Sequence, residues 1–324
     1  MRRNPLALGV FIAIAVVVGQ ALLIPLFAAP AANLAPRDLP IAVAGPPQVV
    51  AQLEKEHPGA FEVTTVADAA AADSKIKDRD VYGAILVTAT GAEVHVASAA
   101  SPTVAQLLTQ SAAALGSDVA IRDVVPVDPD DPRGAGFVAG FLPLAITSLL
   151  AGVLVYFFVP RRSARLIALT TFAALAGVAG AAVQIGWLGI LPGDYWAVAG
   201  TLALFTLAIS AAMTGIAALV GREGLGLGAV VMFLVGNAIS GIAAAPELLP
   251  QPWGEVGQWL PIGAGGTLLR SVAYFGGSGG GFAATVLSAY AIGGLLLVLI
   301  GRRGLAKKTA AAATEAEPEL VGAH

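Results

Sequence analysis

The sequence predicts a polytopic α-helical membrane protein, with six transmembrane helices, an extracytoplasmic α/β domain between helices 1 and 2, and a re-entrant helical segment before helix 6. Three observations lead there. Of 324 residues, 12% are charged and 57% hydrophobic, with a mean hydropathy of +0.81, whereas a soluble domain carries about 25% charged residues. Six segments are near or above the ~20 apolar residues that a spanning helix needs. Between the first two, about 100 residues alternate between strand-like and helix-like patterns, enough for a modest core.

The expected spans are Leu6–Ala29, Gly136–Val159, Leu166–Leu191, Trp196–Val220, Leu225–Ala245 and Ala283–Ile300. Arg2 and Arg3 precede the first span and "AAPAA" follows it, as in a secretory signal. Its apolar run is longer than the 7–15 residues of a signal h-region, so residues 1–29 read as an uncleaved anchor helix. Basic residues in short loops set the orientation. Arg161, Arg162 and Arg165 join spans 2 and 3, Arg222 joins spans 4 and 5, and Arg302, Arg303, Lys307 and Lys308 follow span 6, whereas the opposite short loops carry only Arg270. The expected location is thus the cell membrane, multi-pass, with both termini cytoplasmic and residues 30–133 outside. The tail, 301–324, is short, acidic and reads as disordered.

Within 30–133, "IAVAG" reads as a strand and "PPQVVAQLEKEHPG" as a helix opened by proline and closed by glycine. "FEVTTV" is a strand, "ADAAAADSKIKD" a helix, and "VYGAILVT" and "AEVHVAS" two strands around a Thr-Gly turn. "SPTVAQLLTQSAAALG" is a helix capped by Ser101, with Pro102 in its first turn and Gly116 at its end. The order βαβαββα follows, and "DVAIRDVVPVDPDDPRG" returns the chain to the five-helix region, 134–300. His95, alternating with valines, reads as an exposed strand residue; His57 lies in a helix-ending turn. Asp128, Asp130 and Asp131 lack the spacing of an EF-hand loop and read as a solvated turn.

Composition excludes several functions. A net charge of −3 leaves no footprint for nucleic acid. The absence of cysteine removes thiol chemistry and Cys-ligated zinc. The three histidines lie far apart, and neither HExxH nor GxxxxGK[ST] occurs. No catalytic, cofactor-binding or metal-binding residues are therefore expected, and the chain does not read as an enzyme. No Asp, Glu, Lys, Arg or His lies inside the six spans. Ion-coupled carriers keep such residues at a cost of about 2.5–3.5 kcal/mol each, so their absence argues against that class. The remaining polar groups, Gln20, Gln184, Asn237 and Ser240, read as hydrogen bonds between helices; in a sharper reading Asn237 and Ser240, a turn apart, line a translocation path. Gly136 and Gly140, and Ala173, Gly177 and Ala181, are small residues at the spacing of close helix packing. Pro25 and Pro143 are expected to kink their helices.

"PELLPQPWGEVGQWLPIGAGGTLLR", Pro246–Arg270, fits no single span: four prolines forbid one helix, while two tryptophans and three charges are poor lipid-facing residues. Residues 246–275 read as a segment dipping back into the outer half of the protein. Trp253, Glu255, Trp259 and Arg270 are its candidate outer gate, with Arg270 anchored at the interface or paired with Glu255. "GGSGGG" gives a flexible return to span 6.

One span, a large outer α/β domain and five further spans resemble the permease subunits of ABC type-2 exporters, in particular their phage-infection-protein (YhgE/Pip-like) branch. Three stretches carry the resemblance, which covers nearly the whole chain. "DLPIAVAG" is similar to the first outer strand, without the acidic "VNxD" ending. "DRDVYGAILV" resembles a polar turn before a strand, and "PELLPQPWGEVGQWLPIGAGGTLLR" the outer segment before the last span. The resemblance implies a permease, dimeric, moving an amphiphile, lipid or peptide outward with ATP supplied by a separate subunit. The chain departs from the pattern in having five residues before the first span and little more than "RRSAR" between spans 2 and 3, where an ATPase would dock. The alternative is a non-transporting envelope protein whose outer domain binds a partner, a wall component or a phage.

Overall fold

The computed structural model describes residues 5–88, 91–115 and 119–301. Five of its helices are long and apolar enough to cross a membrane: Leu6–Ala32, Ala135–Phe158, Arg162–Trp187, Tyr195–Val220 and Gly281–Ile300. This is the architecture of a polytopic helical membrane protein.

The first of these, α1 (Pro5–Ala32), continues through both Pro25 and Pro30. Among the described residues its apolar stretch is left unburied, and its C-terminal end meets Ile239, Pro250 and Trp253. Of the other four, three surround the fourth, α7 (Tyr195–Val220), whose core-facing residues are mostly alanine, serine, threonine and glycine. Small residues let backbones come close. Gly177 of α6 (Arg162–Ala181) lies against Ala199 and Ala203, and Gly294 of α12 (Gly281–Ile300) against Ala211 and Ala212, with no room for a side chain at either glycine. Thr214 donates to the Gly152 carbonyl of α5 (Ala135–Phe158) at 3.0 Å. Ala173, Gly177 and Ala181 are buried in the expected packing role.

Gly136 and Gly140 behave differently: their neighbours are Asp131 and Ile190, and the amide of Gln184, rather than another helix backbone. Gln184 lies in a π-helical turn, Ala182–Trp187, that prolongs α6, and its buried Oε1 has no partner among the described residues. α5 runs unbroken through Pro143. The aspartate turn is not wholly solvated, because buried Asp131 caps α5 by accepting from the Phe137 amide at 2.8 Å.

Where a fifth span over Leu225–Ala245 was expected, the helix is shorter, Glu223–Ala238. It comprises α8 (Glu223–Gly228), a π-helical stretch Ala229–Val235 and α9 (Gly236–Ala238). At ~1.5 Å per residue it reaches at most about 24 Å, against a hydrocarbon core of ~30 Å. It stops because α10 (Trp253–Gln258) crosses its end: Gly257 lies on the Ile239 carbonyl and Gly254 on the Pro246 carbonyl. After Leu260 the chain forms α11 (Pro261–Phe275), with twelve buried residues, and then α12.

Residues 39–123 form a five-stranded sheet of order β2-β1-β3-β4-β5. The strands are β1 (Leu39–Ala44), β2 (Phe61–Thr65), β3 (Gly83–Thr88), β4 (Gly91–Val96) and β5 (Ala120–Asp123). Only β3 and β4 are antiparallel, and their turn, 89–90, lies outside the described residues. α2 (Pro47–Glu56) and α4 (Pro102–Leu115) cover Leu39, Ile41, Val43, Val94 and Val96; α3 (Ala69–Lys77) covers Ala42, Ala44, Ala84 and Leu86 on the other face. Ser101 caps α4, accepting from Val104 at 3.2 Å. The expected end at Gly116 falls outside the described residues, as does the tail from 302.

Two expectations change here. "AIRD" adds β5 beside β4 before the chain leaves the sheet. His95 is buried rather than exposed, because α3 covers that face of β4; its Nδ1 lies 2.6 Å from Asp73, which Arg122 also meets at 3.1 Å.

The close crossing at α10 gives a direct test. Gly257→Ala should destabilise the protein by about 1–3 kcal/mol, the range of overpacked sites, read as a lower Tm in detergent. Gly226→Ala, in open space, should leave Tm unchanged.

Candidate functional site

The chain between the Glu223–Ala238 helix and α10 is irregular and in large part buried, so its carbonyls need donors. They come from distant elements. Gln258 donates to the Ser240 carbonyl at 2.9 Å, Arg270 to Ile242 at 3.0 Å and Thr103 to Ala243 at 3.3 Å. The extended stretch after α1 supplies the rest: Arg37 N donates to Glu247 O, and Ala35 N to Leu248 O, each at 3.0 Å. The Arg37 guanidinium grips the Leu248, Ala35 and Asn33 carbonyls at 2.8, 3.1 and 3.1 Å.

The sheet is fastened to the same run. Ala244, Ala245 and Leu248 complete the apolar layer under α2 and α4, and Phe275 completes the layer under α3. The Tyr82 hydroxyl donates to Glu247 Oε2 at 2.8 Å, and Arg79 donates to the Thr267 carbonyl at 2.9 Å while lying over the Phe275 ring. Arg79 has a positive φ of 63°, which turns its side chain from the end of α3 toward α11. Burial lowers the Arg79 pKa from its ordinary value, opposed by Tyr82 and Glu247, and burial and the Glu247 charge raise that of the Tyr82 phenol.

A cleft of about 580 Å³ opens between the two parts. Its sheet-side wall is the N-terminal edge of β1, β2 and β3, with Arg37, Asp38, Glu62, Arg79, Asp80 and Tyr82. Its other wall is Glu247, Gln251, Glu255, Gln258, Trp259 and Phe282. Trp259 and Phe282 stack edge to face, 4.8 Å apart, and both are about half exposed or more. The three stretches that carry the exporter resemblance therefore meet here: Asp38 and Pro40 from the first, Arg79 to Tyr82 around the second, and Pro246 to Thr267 from the third.

The candidate gate residues do not stay together. Glu255 and Trp259 line the cleft. Trp253 lies in a separate apolar groove of about 250 Å³, with Ile239, Pro250 and the C-terminal end of α1. Arg270 is no interfacial anchor and makes no ion pair with Glu255. It is buried, 4.5 Å from the centre of the Phe137 ring, and donates to a backbone carbonyl. Asn237 and Ser240 end the short helix. The Ser240 hydroxyl donates to the Asn237 carbonyl at 3.0 Å and accepts from the Ile242 amide at 3.3 Å.

Sequence reasoning missed Arg37, Asp38, Glu62, Arg79, Tyr82 and Phe282. Two signals pointed to some of them: "DRDVY" and "RDLP" are charged turns placed directly before buried strands. Comparison of the chain with family models, with characterised proteins and with solved structures returns no match.

The Tyr82 bond to Glu247 is accessible to measurement. A hydrogen bond to a charged group contributes about 1.5–3 kcal/mol, so Tyr82→Phe should lower Tm accordingly. Because the folded pKa of Tyr82 is raised, its contribution is complete below the ordinary phenol value near 10 and is lost as pH rises above it. Stability followed from pH 8 to 11 should fall in the wild type and fall less in Tyr82→Phe.

Proposed function

We propose that the chain is a permease-like membrane component of the ABC type-2 exporter kind, moving an amphiphile, lipid or peptide outward with ATP supplied by a separate subunit. The observation that carries this reading is the cleft between the α/β unit and the folded-back segment 246–275. In this reading there are six spans, with Glu223–Ala238 as a short fifth. The α/β unit is extracytoplasmic, both termini are cytoplasmic, and α11 is the re-entrant helix. Irregular backbone is tolerated at membrane depth only where protein or water satisfies it, and the run from Ile239 to Leu249 is supplied in that way. The basic residues support the orientation: Arg162 donates to Gly301 at the end of α12, and Arg165 to Val159 and Tyr156 at the end of α5. Both lie at the end of the bundle opposite the sheet. The exposed apolar length of α1 suits lipid or a second copy of the chain.

One observation favours the envelope reading instead. Only Val159–Arg161 separates α5 from α6, which provides no coupling helix for an ATPase. Purification of the tagged full chain from native membranes separates the two: co-purifying ATP hydrolysis supports the exporter, and its absence the envelope protein.

Topology is tested in the cysteine-free background. Ala60→Cys and Glu255→Cys should react with an impermeant maleimide in intact cells, and Ser163→Cys only after permeabilisation. Reaction at 163 from outside would reverse the assigned orientation.

A further inference from the structure

We propose that the cleft is a binding site for an organic cation with an apolar tail, an ammonium amphiphile; this deepens the exporter reading and, as a statement about substrate, rests on it. The argument begins with what each charged group of the cleft already does. Five carboxylates and two guanidiniums line it. Both guanidiniums are committed to backbone carbonyls, Arg37 to three and Arg79 to Thr267, and neither makes an ion pair among the described residues. Releasing either to meet an anion would leave a part-buried carbonyl, that of Leu248 or of Thr267, without this donor.

The carboxylates are differently placed. Asp80 is met by Lys75 at 2.8 Å and Glu247 by the Tyr82 hydroxyl. Asp38, Glu62 and Glu255 are exposed, and no hydrogen bond or ion pair engages their side chains among the described residues. A cation entering the cleft thus finds three free carboxylates from both walls, whereas an anion finds only two guanidiniums that are already engaged with carbonyls.

The apolar half of the ligand follows from the rim. Trp259 and Phe282 are 62% and 49% exposed and border the cleft on the side of α12, which is long and apolar enough to span a membrane. Aromatic faces attract ammonium groups and also give an alkyl chain a path from the cleft toward lipid. A hydrophilic polyamine would leave this wall unused.

The test uses the full chain in phosphatidylcholine nanodiscs, whose lipid has no net charge, with rhodamine 6G as a lipophilic cation and fluorescein as its anionic counterpart. Fluorescence polarisation should report saturable rhodamine 6G binding above that of empty discs, and none for fluorescein. The triple variant Asp38→Asn, Glu62→Gln, Glu255→Gln should bind at least tenfold more weakly with Tm unchanged, because these exposed side chains make no hydrogen bond or ion pair among the described residues. Alkyltrimethylammonium ions should displace the dye more strongly as the chain lengthens, and Trp259→Ala should reduce that gain. Displacement by a diacyl trimethylammonium lipid in the disc would assign a lipid-borne cation, and displacement by the soluble series alone a free one.

Equal rhodamine 6G binding by the wild type and the triple variant, or fluorescein binding of similar strength, would overturn the proposal. The exporter reading is judged separately, by co-purifying ATP hydrolysis. Loss of cation selectivity with that activity intact would reject only the substrate class.

Discussion

The organisation around the cleft depends on one constraint: a buried, irregular run of backbone from Ile239 to Leu249 has to find hydrogen-bond partners. A helix satisfies itself, and this stretch cannot, because α10 crosses the end of the preceding helix and stops it. Its carbonyls therefore recruit side chains from α4, α10 and α11, and both backbone and side-chain donors from the stretch after α1. The sheet is held against the helices by these bonds and by Leu248 and Phe275, which each complete an apolar layer of the α/β unit. A fragment cut at the sheet boundaries would lose those side chains from its core.

The same constraint settles the use of charge. Arginine can serve several carbonyls at once because its guanidinium presents five donors; Arg37 meets three in that manner, while Arg79 and Arg270 each donate to one. Arg270 has no carboxylate within ion-pairing distance among the described residues; a carbonyl and the face of Phe137 stabilise it instead. With the cations directed into the structure, the open surface of the cleft is left to carboxylates and aromatic rings. The character of the cleft thus follows from how the backbone behind it is satisfied.

Much of the architecture was legible in the sequence, for reasons that can be named. Long apolar runs gave five of the spans, and caps and turns such as Ser101 and "HPG" gave the strands and helices of the sheet unit, because these signals are local. The exceptions were set by distant contacts. The length of the Glu223–Ala238 helix depends on Gly254 and Gly257, whose significance appears only when α10 lies across Ile239 and Pro246. His95 looked exposed because its strand alternates, yet α3 covers that face. Of the candidate gate, Glu255 and Trp259 reach the cleft, while Arg270 turns inward. An arginine in an amphipathic turn carries no local mark of which carbonyl it will meet. The sheet-side residues of the cleft were missed for the same reason, since charged turns before strands are common and only their convergence on one space is informative.

The first helix extends this argument beyond the cleft. α1 is apolar on every face and almost wholly exposed, so packing within the chain does not fix its tilt. A helix apolar all round is stable only when lipid or other protein surrounds it. Among the described residues it is attached at the C-terminal end, where Asn33 continues the helix and Arg37, four residues on, bonds both to Asn33 and to Leu248. Arg37 therefore belongs to two structures at once, the end of a helix whose position is set by its surroundings and the backbone that forms one wall of the cleft. Only three residues lie between Asn33 and Arg37, and one guanidinium holds both the Asn33 and the Leu248 carbonyls, so the end of α1 is tied directly to that wall with no loose linker between.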